Sequence, residues 1–311
     1  MNPRRKIIYM SSSVTLLILA CIADVMWGGH ANLDIMLHLR LPRTATAILA
    51  GAAMALSGSQ MQSIFRNPLA DPHIMGISSG ASLGAALTTM YAGAALAGVP
   101  IAISASIGAA AAAAVILYAS KKFSNASVLL IFGVMLGFIV NALVAILQFT
   151  SDAESLKMFY SWSAGSFSNT TWAETSIIAG ALVLGLIISL RNQKGLDLIL
   201  FGDEFTKLSG GNPSKIRLSA LVSCSLMTGA VTAFCGPLGF VGIIGPHIAK
   251  ALLGTSSHRS VLPASLLTGG FIGVCADLIS RMTPSPMPVA STMALLGIPA
   301  ILYIMLKKPS L

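Results

Sequence analysis

Ten apolar runs, most of them close to the length that crosses a bilayer, leave this chain very little freedom. A membrane-spanning helix needs about 20 consecutive apolar residues. Such runs lie near residues 7–27, 43–65, 74–92, 100–119, 127–149, 172–190, 216–235, 240–253, 261–281 and 289–306. Of the 311 residues, 55% are hydrophobic and only 9% are charged, against about 25% charged in soluble domains. The expected fold class is therefore all-α: a polytopic membrane protein with about ten transmembrane helices, in a single transmembrane domain over residues 1–311.

Charge placement orients the runs. With the N-terminus inside and the runs alternating, only Arg40, Arg43, Lys157 and Arg281 of the 19 basic residues fall outside. Cytoplasmic loops carry the excess of Lys and Arg, so both termini are expected in the cytoplasm of a multi-pass cell-membrane protein. Arg4-Arg5-Lys6 before the first run resembles a signal peptide, but no convincing small-residue cleavage site follows. It is read as a retained first helix. The net charge of +9 reflects loop topology, not nucleic-acid binding, because the basic residues are scattered singly.

Small residues organise the rest. Gly76, Gly80 and Gly84 form overlapping GxxxG repeats, which bring helix backbones together in lipid. Gly236, Gly239, Gly242 and Gly245 recur every third residue around two prolines, so a break or half-helix is expected there. Gly51, Ala55, Gly58 and Gln62 share one helical face, as do Gly133, Gly137, Asn141 and Gln148. Polar groups at membrane depth face protein or a water-filled path. Asn141 and Gln148 accordingly line a pathway or bond between helices.

Chemistry-bearing motifs are scarce. Cys21, Cys224, Cys235 and Cys275 form no CxxC and read as small buried thiols. His247 and His258 read as structural hydrogen-bonders, and His30, His38 and His73 are isolated. There is no HExxH and no P-loop GxxxxGK[ST], so no metal, cofactor or ATP site is expected, and energy must come from a partner.

The motif-bearing stretches read RLPRTATAILAGAAMALSGSQMQSIFRNPLADPHIMGISSGASLG at 40–84, GPLGFVGIIGPHIAK at 236–250, SSHRSVLP at 256–263 and ADLISR at 276–281. In this order they resemble the FecCD-type permease family, the membrane subunits of ATP-driven (ABC) importers of ferric siderophores, haem and vitamin B12. The resemblance covers about 30–308. It implies the type II importer fold, a dimer of permeases (here a homodimer), two copies of an ATPase subunit, an extracytoplasmic substrate-binding protein and surrounding membrane lipid.

The resemblance also implies roles. Arg40, Arg43 and Arg281 would dock acidic residues of the binding protein, since arginine offers carboxylates a rigid bidentate fork. Anchoring to lipid headgroups is the plainer alternative for them, and Asp277 could pair with Arg281 one turn away. Coupling helices at about 196–215 would place Gly202, Asp203, Glu204, Lys207 and Gly210 against the ATPase. The apolar Leu196–Phe201 stretch there would need a partner surface. Asn67 and Leu69, in a turn fixed by Pro68 and Pro72, would form the inner constriction, with Ser127 as an opposing element that no motif matches.

The chain departs from the family pattern at Asp203, at Ser209, and in TPSPMPVAST, a short proline-rich linker without the usual acid. Ferric siderophore leads as cargo, with haem or vitamin B12 as alternatives. A secondary transporter would need intramembrane acidic or histidine relays, and only Asp277 lies deep enough in the runs to serve. A membrane-embedded enzyme lacks any nucleophile–base pair.

Overall fold

A computed structural model describes residues 3–27, 32–91, 100–283 and 287–307. Part of the proline-rich linker, His30 and Lys308 lie outside these residues. Each of the ten apolar runs is helical. In chain order the long helices are α1 (Pro3–Met26), α3 (Leu41–Ile64), α4 (Ile77–Ala86), α5 (Ile101–Lys122), α6 (Ala126–Phe149), α8 (Trp172–Ile199), α10 (Pro213–Cys235), α11 (Val241–Leu253), α12 (His258–Ser280) and α13 (Val289–Lys307). Three short ones intervene: α2 (Leu33–Ile35), α7 (Ala153–Ser163) and α9 (Asp203–Leu208).

α1, α5, α6, α8, α10 and α12 are each long and apolar enough to cross a membrane on length and composition alone. α3 falls short on hydropathy for a physical reason. Its glycines, serines and glutamines are buried among other helices, so it need not be apolar all round.

Local chemistry sets the helix ends. Asn125 accepts from Ser127 N (2.8 Å) to start α6, and Asp152 from Ser155 N (2.7 Å) to start α7. Thr171 and Glu174 form a reciprocal capping box on α8. Each satisfies backbone N–H groups that the first turn leaves unpaired. α8 runs to Ile199, beyond the expected end near 190. Arg191 and Lys194 are good helix formers, and Leu196 and Ile199 are fully buried, so the helix continues as one rod. α7 was not expected from the hydropathy runs, being short and half polar.

α3 is the axis of the bundle, with α8, α10, α11 and α12 packed round it. The expected small-residue face makes these contacts. Gly51 lies against the Gly269 carbonyl of α12, and Gly58 against Gly242 of α11. Gly80 and Gly84 seat α4 on α5 at Gly108 and Ser104. The anticipated break is also present: α10 ends at Cys235, and α11 begins only at Val241. Asp71 bridges it, accepting from Phe240 N (3.2 Å) and from His73 N (2.9 Å). Gln62, the polar end of the α3 face, donates to Ile243 O (3.2 Å) and accepts from Lys250 Nζ (2.9 Å). The backbone groups freed by the break thus find partners inside protein, the condition for irregular structure at membrane depth.

Candidate functional site

Three groups of side chains mark two ends and a middle. The N-terminus of α3 meets the C-termini of α1 and α12, and there the motif arginines collect. Arg43 donates from Nε to both oxygens of Asp277 (2.9 and 2.8 Å) and from Nη2 to Oδ1 (2.8 Å). Arg281 Nη2 binds the Asp24 carboxylate, and lies 3.2 Å from Asp277 Oδ2. Thr44 Oγ1 donates to Asp24 Oδ2 at 2.5 Å, and Arg40 Nη1 to Val25 O at 2.9 Å.

Both carboxylates are fully buried, whereas Arg43 and Arg281 keep 15% and 14% of their side chains exposed. Buried anions are tolerated when paired and hydrogen-bonded. The sequence reading singled out Asp277 alone as a deep acid, and that is corrected here: Asp24 is as deeply buried, and Asp71 nearly so. Asp24 is the one acid in the first apolar run, a signal readable beforehand. Pairing of Asp277 with Arg281 within α12 is present, but the closer partner of Asp277 is Arg43 on α3.

Midway along the bundle, a cavity of about 320 Å³ is lined by Asn141, Ser78, Ser79, Ser82, His73 and Phe240, among others. Gly133 and Gly137 of the same α6 face instead pack on Met75, Gly76 and Ser79. Gln148 is half-buried two turns beyond Asn141 and is not part of this lining.

At the other end, the turn after α3 approaches the start of α6 and the α8–α9 junction. A second cavity, about 490 Å³, lies between Arg66, Asn125, Phe201, Gly202, Glu204 and Lys207. Asn67 Oδ1 accepts from Leu69 N (2.9 Å), leaving the Leu69 side chain 47% exposed. Ser127 is exposed one residue beyond the cavity lining.

On α9, Glu204 and Lys207 are exposed, while Asp203 turns inward to Arg217. The apolar surface here differs from expectation. Leu196 and Ile199 are buried in the core, and the exposed apolar side chains are Phe201, Phe205 and Leu208. Arg217 sits in α10 with only 4% of its side chain exposed, where the charge count gave it no more than a place on the cytoplasmic side of the run 216–235. Behind it, His258 Nδ1 meets Asp197 Oδ1 at 2.6 Å, and its Nε2 meets Ser63 Oγ at 2.7 Å. His247 Nδ1 lies 2.8 Å from Ile243 O. His258 thus joins α12 to α3 and α8, whereas His247 bonds within α11 and reaches Gln62 of α3 at 3.4 Å. Among the described residues, no three of His, Cys, Asp or Glu converge on a possible metal position.

Comparison with known proteins follows the same outline. The model of the FecCD transport family matches residues 7–307. The hemin transport system permease HmuU of Yersinia pestis is 35% identical over 292 residues, 92% of this chain and 85% of its own. The vitamin B12 import system permease BtuC of Klebsiella pneumoniae is 32% identical over 301 residues, covering 94% and 90% of the two chains. Among solved structures, an inward-facing metal-chelate type ABC transporter superposes with a TM-score of 0.88 at 27% identity, over 96% of this chain and 98% of that one.

Proposed function

The chain belongs to the FecCD transport family, and from that premise we propose that it is one half of a homodimeric permease that imports a bulky metal chelate, with ferric siderophore as the leading cargo. As a permease of this family it is a transport subunit of an ABC importer. In the proposed assembly two ATPase subunits bind the α9 end in the cytoplasm, a substrate-binding protein docks on the arginine rim outside, and both termini lie inside. ATP binding and the loaded binding protein stabilise different states, so the path between the two permeases opens alternately.

The observation that carries this reading is the α9 surface. Phe205 and Leu208 are 47% and 89% exposed on a six-residue helix beyond the apolar spans, beside charged Glu204 and Lys207. Apolar side chains held in water at a polar rim fit a protein partner. For cargo, the cavity at Asn141 mixes serine hydroxyls and an amide with Phe240, Pro237 and Ala290, which suits a chelate with both polar and apolar faces; ferric siderophore leads as the cargo that the family resemblance names first. Haem and vitamin B12, named for the two relatives, are the alternatives. A secondary transporter is disfavoured because Asp24 and Asp277 are each matched to arginine, and the third buried acid, Asp71, is held by the backbone N–H groups of His73 and Phe240 at the break before α11.

The rim gathers Arg40, Arg43 and Arg281 at one end of the bundle. Positive charge there would steer an acidic partner, and rim charges act mainly on association rate and its salt dependence. Arg40→Gln is expected to slow association of the binding protein about tenfold at low salt, with a flatter salt dependence and unchanged ATPase assembly. Surface plasmon resonance on reconstituted permease checks this. A wild-type rate and salt slope in Arg40→Gln would remove Arg40 from the docking surface.

A further inference from the structure

α9 hangs between two glycines whose backbones lie in the left-handed region, Gly202 (φ 103°) and Gly210 (φ 80°). Glycine occupies that region without steric cost, so the chain turns sharply at both ends of α9 and the helix does not run on into α8 or α10. Side chains that tie α9 to its neighbours therefore share in carrying any push onward. One side chain is placed to do so. Arg217, in the second turn of α10 and almost wholly buried, directs Nη2 to the Asp203 carboxylate at the first residue of α9. Its Nη1 donates at 2.5 Å to the Ser124 carbonyl.

Ser124 precedes Asn125, whose side chain caps α6 by accepting from Ser127 N and Val128 N. α6 in turn carries Asn141 to the central cavity. The contacts therefore run from α9 through Asp203, Arg217 and Ser124 to the helix that lines the cavity.

We propose that Arg217 is a positioning residue for transport, a strut that makes α9 and the start of α6 move together. The proposal rests on the reading of α9 as the ATPase contact. The planar guanidinium suits this task, because its rigid fork holds two acceptors at a fixed separation, whereas a lysine's three donors rotate on a single flexible stem and fix no such separation. A buried ion pair with a merely structural role would also hold α9 in place, but breaking it would not separate ATP hydrolysis from transport.

The test uses the complete complex in vesicles: permease, ATPase and binding protein. Arg217→Gln is measured for ATPase assembly, phosphate release and uptake of a radioiron-labelled hydroxamate siderophore. Assembly and basal hydrolysis are expected to persist, while uptake per ATP falls about tenfold or more, the size of a typical coupling between sites. Arg217→Lys, which keeps the charge, is expected to lie between and decides the matter if Arg217→Gln does not fold.

A cargo-independent readout uses nitroxide labels at Ser209, just after α9, and Val128, at the start of α6, both exposed. In the wild-type complex the label separation is expected to hold when ATP binds. In either variant it is expected to broaden or shift. A wild-type coupling ratio with an unchanged separation would overturn the strut, as would loss of ATPase assembly in Arg217→Lys, which would make the residue part of docking. If the wild-type complex itself neither assembles nor hydrolyses ATP, the importer reading fails instead, and the two failures are distinct.

Discussion

Replacing Arg281 with methionine is expected to destabilise the protein by roughly 3–5 kcal/mol, the usual loss when one partner of a buried ion pair is removed. Arg281 binds the carboxylate of Asp24, which is fully buried. Thr44 alone would then satisfy a carboxylate at the edge of an apolar bundle. Arg43 cannot substitute, because its Nε and Nη2 are already committed to Asp277. The sign of the cause is testable by the double variant. Asp24→Asn with Arg281→Met keeps a hydrogen-bond partner for Thr44 and removes the unpaired charge, so most of the loss should return. Reversible denaturation in mixed micelles reads both. A single variant within about 1 kcal/mol of wild type, the range of exposed pairs, would show that the rim is solvated and does not join α1 to α12.

The second large effect is at Gly58. A Cβ there would lie 1.8 Å from the Gly242 carbonyl oxygen and 2.6 Å from Gly242 Cα. Both contacts are backbone, so no side chain can swing away, and α3 and α11 must part. Overpacking in a core costs about 1–3 kcal/mol where side chains can adjust; Gly58→Ala should exceed that range. The separation would also stretch the Gln62–Ile243 bond one turn on, which closes the break before α11. Gly180→Ala is the matched control. No atom lies within 4 Å of the added methyl there, so it should be neutral or stabilising by up to about 1 kcal/mol, the cost of glycine within a helix. Equal stabilities for the two variants would contradict close approach of α3 and α11.

Much of the helical layout was legible because the bilayer leaves few options. Apolar length located ten helices, and the glycine spacings marked the close-packing faces of α3 and α4 and the break after α10, but not which helices those faces meet. The end of α8 was not legible, since hydropathy reports where a helix leaves lipid and not where it stops. Gln148 shares a helical face with Asn141, yet two turns of drift along α6 put it outside the cavity lining; periodicity assigns a face but not a depth. The arginine rim was legible as a set of residues but not as a network. Asp24 lies 257 residues from Arg281, and only the folded chain brings the two together. Arg217 read only as one more cytoplasmic-side cation at the start of the run 216–235, because its partners, Asp203 and Ser124, come from two distant parts of the chain.

The most direct measurement of the central claim is uptake into vesicles containing this permease, with ATP inside the compartment that faces α9. Uptake is expected only when an ATPase partner and a loaded binding protein are both present, and it should stop when ATP is replaced by a non-hydrolysable analogue. Uptake that proceeds without the ATPase, driven by a proton or sodium gradient, would contradict the account.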